Sequence, residues 1–293
     1  MTRCLFTLLL IGSFFILQGQ THTVSLGIYS GITSTYSWDQ GVGIDPRYKT
    51  RYDVKLAPIG ISYGMDFEGF GFVLTPGIVN TGQNFIVLNF VGGQEGVRKT
   101  NVQYLNLPIG FKIHIIDLSF FKVSFLMGGS AAFLLSGKET VSHNYTKLIF
   151  PTEVYPILPT DYIVEYDGVV SPQVNAYSML AKKDFNTIQF FASAGFRSDW
   201  DVSDNWRVSF DFRLNYGVRD PRNENYLEKL EAYQTLYDIP GKRRDTHASL
   251  TIGIARFIEI DKKDKQKKAA KGSPKAYTPS SYPWPKPRTR KPK

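Results

Sequence analysis

Between residues 206 and 216 every second position is polar: Arg207, Ser209, Asp211, Arg213 and Asn215 alternate with Trp206, Val208, Phe210, Phe212, Leu214 and Tyr216. A two-residue period places the charges on one face of a β-strand and the large apolar groups on the other. Lys112 and His114, Lys122, Gln189 and Arg197 hold matching positions on alternating runs of their own. Lys112, His114, Lys122, Arg197, Arg207, Asp211 and Arg213 thus make a candidate polar network lining one interior. It suits a small-anion site, a narrow polar path, or a filling of ion pairs. The last is favoured, because charges withdrawn from water need partners. Catalytic constellations are not evident. The four histidines, His22, His114, His143 and His247, are scattered without metal-ligand spacing. His143 shares a segment with Ser142, Asp161, Glu165 and Asp167, a set that would serve hydrolysis or acyl transfer at a rim, although ordinary loop polarity explains it as well. The single cysteine, Cys4, sits in the first apolar run, so no disulfide or thiolate metal site is expected in the mature chain. No cofactor, metal or catalytic residue is predicted.

These residues are positioned by strands. Eight period-two segments are found, at about 23–31, 54–64, 70–78, 103–115, 121–135, 187–200, 206–216 and 247–257. Each has one face of Leu, Ile, Val and Phe and one of Gly, Ser and charged groups. Trp206 and Tyr216 end the strand described above, and Trp200 ends the one before it. Trp200, Trp206 and Tyr216 are therefore a candidate aromatic girdle, since such rings sit at headgroup level when about 9 to 11 tilted residues cross a bilayer. No stretch beyond residue 20 approaches the length of a spanning helix, so a membrane-integral chain must close into a barrel. A lipocalin-like soluble barrel, with apolar groups inside, is the alternative. Residues 1–20 join Arg3 to an apolar run and Gln18-Gly19-Gln20, the pattern of a secretory signal peptide.

Links between the segments alternate in length. Those near 32–53, 79–102, 136–186 and 217–246 are long, whereas 66–69, 117–120 and 201–205 are tight turns. Long and short links fall at opposite ends, the asymmetry of outer-membrane barrels, with both termini on the periplasmic side. The prediction is an all-β fold, an eight-stranded antiparallel transmembrane β-barrel over 21–260 with long extracellular loops. The loop at 148–159 is strongly apolar, and its Phe150, Tyr155 and Leu158 are candidate partner-binding residues, with packing over the barrel mouth the favoured role. A helix is predicted over Tyr226 to Tyr237, with Asn225 and Glu228 as a capping box and Pro240-Gly241 as its stop. Residues 261–293 carry twelve Lys or Arg against two Asp, which is plus ten beside plus nine for the whole chain. Such a Pro-rich tail cannot bury a core and is predicted to be disordered. Its candidate partners are anionic lipid headgroups, peptidoglycan carboxylates or acidic periplasmic proteins, with Trp284 as an anchor; nucleic acid is not expected.

Tyr104-Leu105-Asn106-Leu107-Pro108-Ile109-Gly110-Phe111-Lys112 resembles the signature strand of the PorT-like outer-membrane β-barrel family of Gram-negative bacteria. Thr75-Pro76-Gly77-Ile78 and Thr81-Gly82 before it, Gly128-Gly129 after it and a last strand ending at Phe257 extend the resemblance over about residues 22–259. Asn106 departs from the acidic residue usual in the family, as does the tail after Ile260. The resemblance implies outer-membrane location and a non-enzymatic binding or scaffold role in an envelope complex, in some members an accessory of type IX secretion or gliding. A passive envelope-stabilising or adhesive barrel, and a barrel hydrolase or acyltransferase, are the alternatives. Outer-membrane lipids, and envelope proteins reached through 136–186 and 217–246, are the expected partners.

Overall fold

The computed structural model describes residues 22–118, 120–150, 163–165, 168–232 and 237–260. The predicted signal segment and basic tail, with Trp284, lie outside these residues, as do Tyr155 and Leu158.

The described chain is all-β and antiparallel. β1 (His22–Asp39) is followed by a short helix α1 (Gln40–Ile44), β2 (Tyr48–Arg51), β3 (Asp53–Asp66), β4 (Phe70–Leu74), β5 (Gly77–Thr81) and β6 (Asn84–Leu88). Next come β7 (Gln94–Leu118) and β8 (Phe121–His143), then β9 (Thr146–Lys147), β10 (Ile163–Glu165), β11 (Gly168–Ser171) and β12 (Val174–Leu180). β13 (Ile188–Ser203), β14 (Trp206–Gly217), helix α2 (Glu224–Glu231) and β15 (Arg243–Ile260) complete it. Pairing runs β1–β3, β3–β4, β4–β7, β7–β8, β8–β13, β13–β14, β14–β15 and β15–β1, so the ladders close on themselves. A closed ring leaves no unpaired edge within lipid. The third predicted strand is two, because Pro76 cannot donate to a ladder; β4 and β5 pair in turn with the same strand, β7. Tyr29 spans the break, its hydroxyl donating to the Thr75 carbonyl at 2.9 Å. Its ring crosses Gly60 and Gly77, where a Cβ would have no room.

Outward faces carry Leu26, Ile28, Ile61, Leu105, Ile109, Phe196, Phe212, Leu214, Leu250 and Ile252, all exposed. From Trp206 to Tyr216 a strand tilted by about 40° rises roughly 25 Å, the height of an outer-membrane apolar band. Above that band the strands continue, with polar groups on the outward face. On β7 the outward groups become Lys99, Asn101 and Gln103, and on β8 they become Ser136, Lys138 and Thr140, while Val102 and Val141 turn inward and are buried. β7 and β8 are consequently 25 and 23 residues long. Here they join β6, β2 and β12 in a sheet ordered β12-β8-β7-β6-β2. Much of what the sequence presented as long loops is thus strand. A small separate sheet, β10-β11-β9, lies within the link from β8 to β13.

The predicted helix is shifted. Asn223, not Asn225, caps it, accepting from the Tyr226 N–H at 2.9 Å, and regular helix ends at Glu231, well before Pro240. Tyr226 and Leu230 are its buried residues, and they pack with Val79, Val102, Tyr104, Leu134, Leu180, Phe185 and Phe191. Val42, Tyr48, Phe85, Val87, Val141, Leu148 and Tyr237 form a second cluster, with Phe150 against it.

Candidate functional site

Inside the ring, the alternation that faces Leu and Phe to lipid faces charges to one another. Arg197 Nε lies 2.8 Å from Asp199 Oδ1, and Arg213 Nε lies 2.8 Å from Asp211 Oδ1. The Arg197 Nη1 to Asp211 Oδ2 distance is 3.4 Å, and Ser209 donates to Asp199 at 2.6 Å. Lys112 on β7 pairs with Asp66 on β3 and with Asp199 on β13, the latter at 3.3 Å. Arg207 on β14 meets the same Asp66 at 2.5 Å and Asp201 at 2.6 Å. The contacts of Lys112 with Asp66 and Asp199, and of Arg207 with Asp66, join strands that are not neighbours, so they bridge the bore. Four cations, Lys112, Arg197, Arg207 and Arg213, face four carboxylates, Asp66, Asp199, Asp201 and Asp211. A neutral lattice of this kind has no surplus charge with which to draw in an anion.

Two predicted members stand apart. His114 contacts Ser124 Oγ at 2.8 Å through Nδ1 and lies 3.9 Å from Asp66. Lys122 is at the tight-turn rim, paired with Asp117 at 3.0 Å and more exposed than the rest. Asp66, Asp199 and Asp201 were missed by sequence reasoning. Asp199 and Asp201 continue the alternation from Arg197, a signal that would have found both, but Asp66 and Asp201 were read as the first residues of tight turns. Trp200, Trp206 and Tyr216 are exposed on the outward face, Trp200 packing at a tilt on Phe121 with 4.3 Å between centroids.

A cavity of about 60 Å³ lies mid-lumen, lined by Tyr29, Asn106, Arg197, Arg213, Asn215 and His247 among others. Asn106 Oδ1 and His247 Nδ1 have no protein partner there. The volume suits a few water molecules and is far below that of a metabolite pocket.

Above the lipid band a second buried network caps the lumen. Glu139 receives Arg98 Nε at 2.6 Å and Arg243 Nη1 at 2.7 Å, and Arg243 Nε reaches Asp39 at 2.7 Å. Arg98 also holds Asp238 at 3.0 Å, and Arg222 holds Asp220 at 2.9 Å and Asp238 at 3.5 Å. Arg98, Glu139, Arg222, Arg243 and Asp39 come from widely separated parts of the chain, and all are buried. Burial alone would raise the Glu139 carboxyl, but Arg243 and Arg98 hold it below the ordinary carboxylate range. Asp39 is lowered in the same way, against its burial, by Arg243 and Arg222. Burial pushes the Tyr48 hydroxyl up to about 12, and that group donates to the Tyr237 carbonyl at 2.7 Å. Phe150 lies in this cap with the Arg47 guanidinium 4.4 Å from its ring centroid, so it is packed within the chain.

Of the rim set, Ser142 and His143 take different partners among the described residues. Ser142 Oγ accepts from the Ala176 N–H at 2.8 Å, and the acids Asp161 and Asp167 lie outside the described residues. His143 meets Ser171 instead, with Nε2 at 3.3 Å from Ser171 Oγ and 2.7 Å from the Tyr237 hydroxyl. Nδ1 lies 2.8 Å from the Asn144 carbonyl, which fixes it as the donor and leaves Nε2 to accept. Burial lowers the His143 pKa, favouring the neutral ring. This is the polarity of a general base beside a hydroxyl, yet Ser171 is fully buried and offers no approach to a substrate. Clusters of three or more metal-ligating side chains are absent among the described residues.

A closed antiparallel ring with apolar groups outside and paired charges inside is the build of an outer-membrane β-barrel. The chain belongs to the outer membrane protein β-barrel domain family, whose model matches residues 18–221, and its place is the bacterial outer membrane. None of the curated proteins compared with it matches. Among solved structures it is similar to the outer membrane protein OprG of Pseudomonas aeruginosa, with 10% identity over 82% of this chain and 97% of that one and a TM-score of 0.34. The attachment invasion locus protein Ail of Yersinia pestis gives 9% identity, 82% and 99% coverage and a TM-score of 0.32. The outer membrane protease OmpT of Escherichia coli gives 8%, 83% and 97%, and 0.37. Likeness this slight carries no argument about activity.

Proposed function

We propose that the protein is a non-enzymatic, non-conducting barrel that works as a binding scaffold in an envelope complex. The observation that carries this reading is the double closure of the bore. Ion pairs fill the lumen, and a cap held by Arg98, Glu139 and Arg243 covers one end. With no path through, what the molecule offers is surface, above all the sheet β12-β8-β7-β6-β2 that stands clear of the lipid band. On this reading residues 1–20 are removed as a signal peptide, the cap faces outward from the cell, and the basic tail contacts an anionic periplasmic partner. Resemblance to PorT-like barrels makes an accessory of type IX secretion or gliding the specific version.

Gentle-detergent pull-down from outer membranes, comparing the full chain with one truncated after Ile260, tests it. The scaffold reading expects defined partners in stoichiometric amounts, some of them lost with the tail. Recovery of the protein alone in both preparations would favour a passive or adhesive barrel. One observation favours a second reading, a hydrolase: the His143 and Ser171 contact at 3.3 Å. It requires the cap to open, and labelling of Ser171 by a fluorophosphonate in native membranes is its test.

A further inference from the structure

We propose that Arg219 and Arg244 form a clamp for the phosphomonoester headgroup of a membrane lipid, on the outward surface where the cap meets the lipid band. Arg244 lies on β15 directly across from Trp38 of β1, which is exposed. Its outward neighbours along the strand are Thr246, Ala248 and then Leu250, where the apolar face begins. One guanidinium N–H of Arg244 donates to the carbonyl of Val218, the residue preceding Arg219. Arg219 in turn donates to the Ile188 carbonyl and lies over the Phe190 ring, 5.3 Å from its centroid. Val218 donates its backbone N–H to Phe190 at 2.9 Å, which completes one compact patch from β13 to β15. Unlike Arg98, Arg197, Arg207, Arg213, Arg222 and Arg243, neither arginine meets a carboxylate among the described residues.

Depth points to the ligand. Beside the patch, Tyr36 packs on Trp38 at 5.0 Å and on Tyr52 at 5.7 Å, a cluster of amphipathic rings of the kind that settles at headgroup level. Below it Phe190, Leu214 and Tyr216 are exposed and apolar. A lipid with its chains along those side chains brings its phosphate up to the two guanidiniums. Each is held at one edge by a backbone carbonyl, so little side-chain freedom remains to be lost when the other edge meets a phosphate. Planar forks match phosphate oxygens in pairs, and a dianionic monoester rewards two of them more than a diester does. This site is independent of the scaffold reading.

The test is native mass spectrometry of the full-length protein from micelles doped with phosphatidic acid or with phosphatidylcholine of the same chains. The wild type retains phosphatidic acid with roughly tenfold preference or more, as expected for two basic groups at a charged surface. Arg219→Gln with Arg244→Gln loses that preference. Lys99→Gln with Lys138→Gln, on outward positions of β7 and β8, keeps it, and inorganic phosphate does not compete. Heat-modifiable migration on gels verifies that each variant is a closed barrel, and Arg219→Lys, which keeps the charge without the fork, falls between. The proposal is overturned if the wild type shows no preference, if the arginine variant retains it, if the lysine variant loses as much, or if free phosphate displaces the lipid.

Discussion

Asp66 is the residue on which the lumen turns. It takes Lys112 from one strand and Arg207 from another, so removing its charge leaves two buried cations relying on Asp199 and Asp201 alone. Breaking a buried pair costs several kcal/mol because the partner remains desolvated. Asp66→Asn should therefore destabilise the barrel by about 3 kcal/mol, read as the shift in urea midpoint for loss of the heat-modifiable form. In the cap the same chemistry gives a pH dependence. His143, lowered by burial, and Glu139 and Asp39, lowered by their arginines against burial, all bind protons more readily when released. Stability from a depressed group is present above its unfolded pKa and lost as pH falls. Protection from hydrogen exchange in the cap, taken relative to the intrinsic amide rate at each pH, should therefore hold steady above pH 6.5, the ordinary histidine value, and weaken first below it through His143. A second, larger loss should follow below pH 4.5, the ordinary value for Glu139. Protection that rises on acidification would contradict the assignment. At this scale the sequence showed the cations, because a charge at every second position is conspicuous. It did not show Asp66, since pairing across the bore joins strands far apart in the chain and leaves no local pattern.

At the scale of elements, apolar alternation located every strand of the ring and undercounted its length. Alternation of Leu105, Leu107 and Ile109 against Asn106 and Gly110 reports a lipid boundary, and it stops where lipid stops. Above that level the outer face meets water, so Lys99 and Lys138 replace Leu and Ile while the ladder from β7 to β8 continues to His143. A strand that changes solvent reads as a strand followed by a loop. Helix α2 shows a smaller error of the same kind. Asn225 with Glu228 has the spacing of a capping box, but Asn223 holds the cap, accepting at Tyr226 and donating to the Lys183 carbonyl. Asn223→Ala should destabilise the cap by about 1 kcal/mol in local hydrogen exchange, whereas Asn225→Ala should change it little. Equal effects would restore the later start. Leu230, fully buried between α2 and the ring, is the residue whose loss should hurt most, with Leu230→Ala costing roughly 2–5 kcal/mol in the same assay.

For the whole molecule, two networks and two apolar clusters divide the work between levels. The lower network neutralises the lumen within the lipid band, and the upper one ties the long links into a body. Membership of an outer-membrane barrel family and the direction of each strand's faces were legible in the sequence. The cap was not, because Asp39, Arg98, Glu139, Arg222 and Arg243 are dispersed over two hundred residues and are brought together by the tertiary fold, with no local pattern among them. On the scaffold reading nothing passes through this ring. Planar-bilayer recording of the purified full-length protein tests it most directly. The wild type is expected to show no stable conductance steps, and Glu139→Ala with Arg243→Ala, whose cap is unlatched, intermittent ones. Steady ohmic channels in the wild type would contradict it and make the protein a pore.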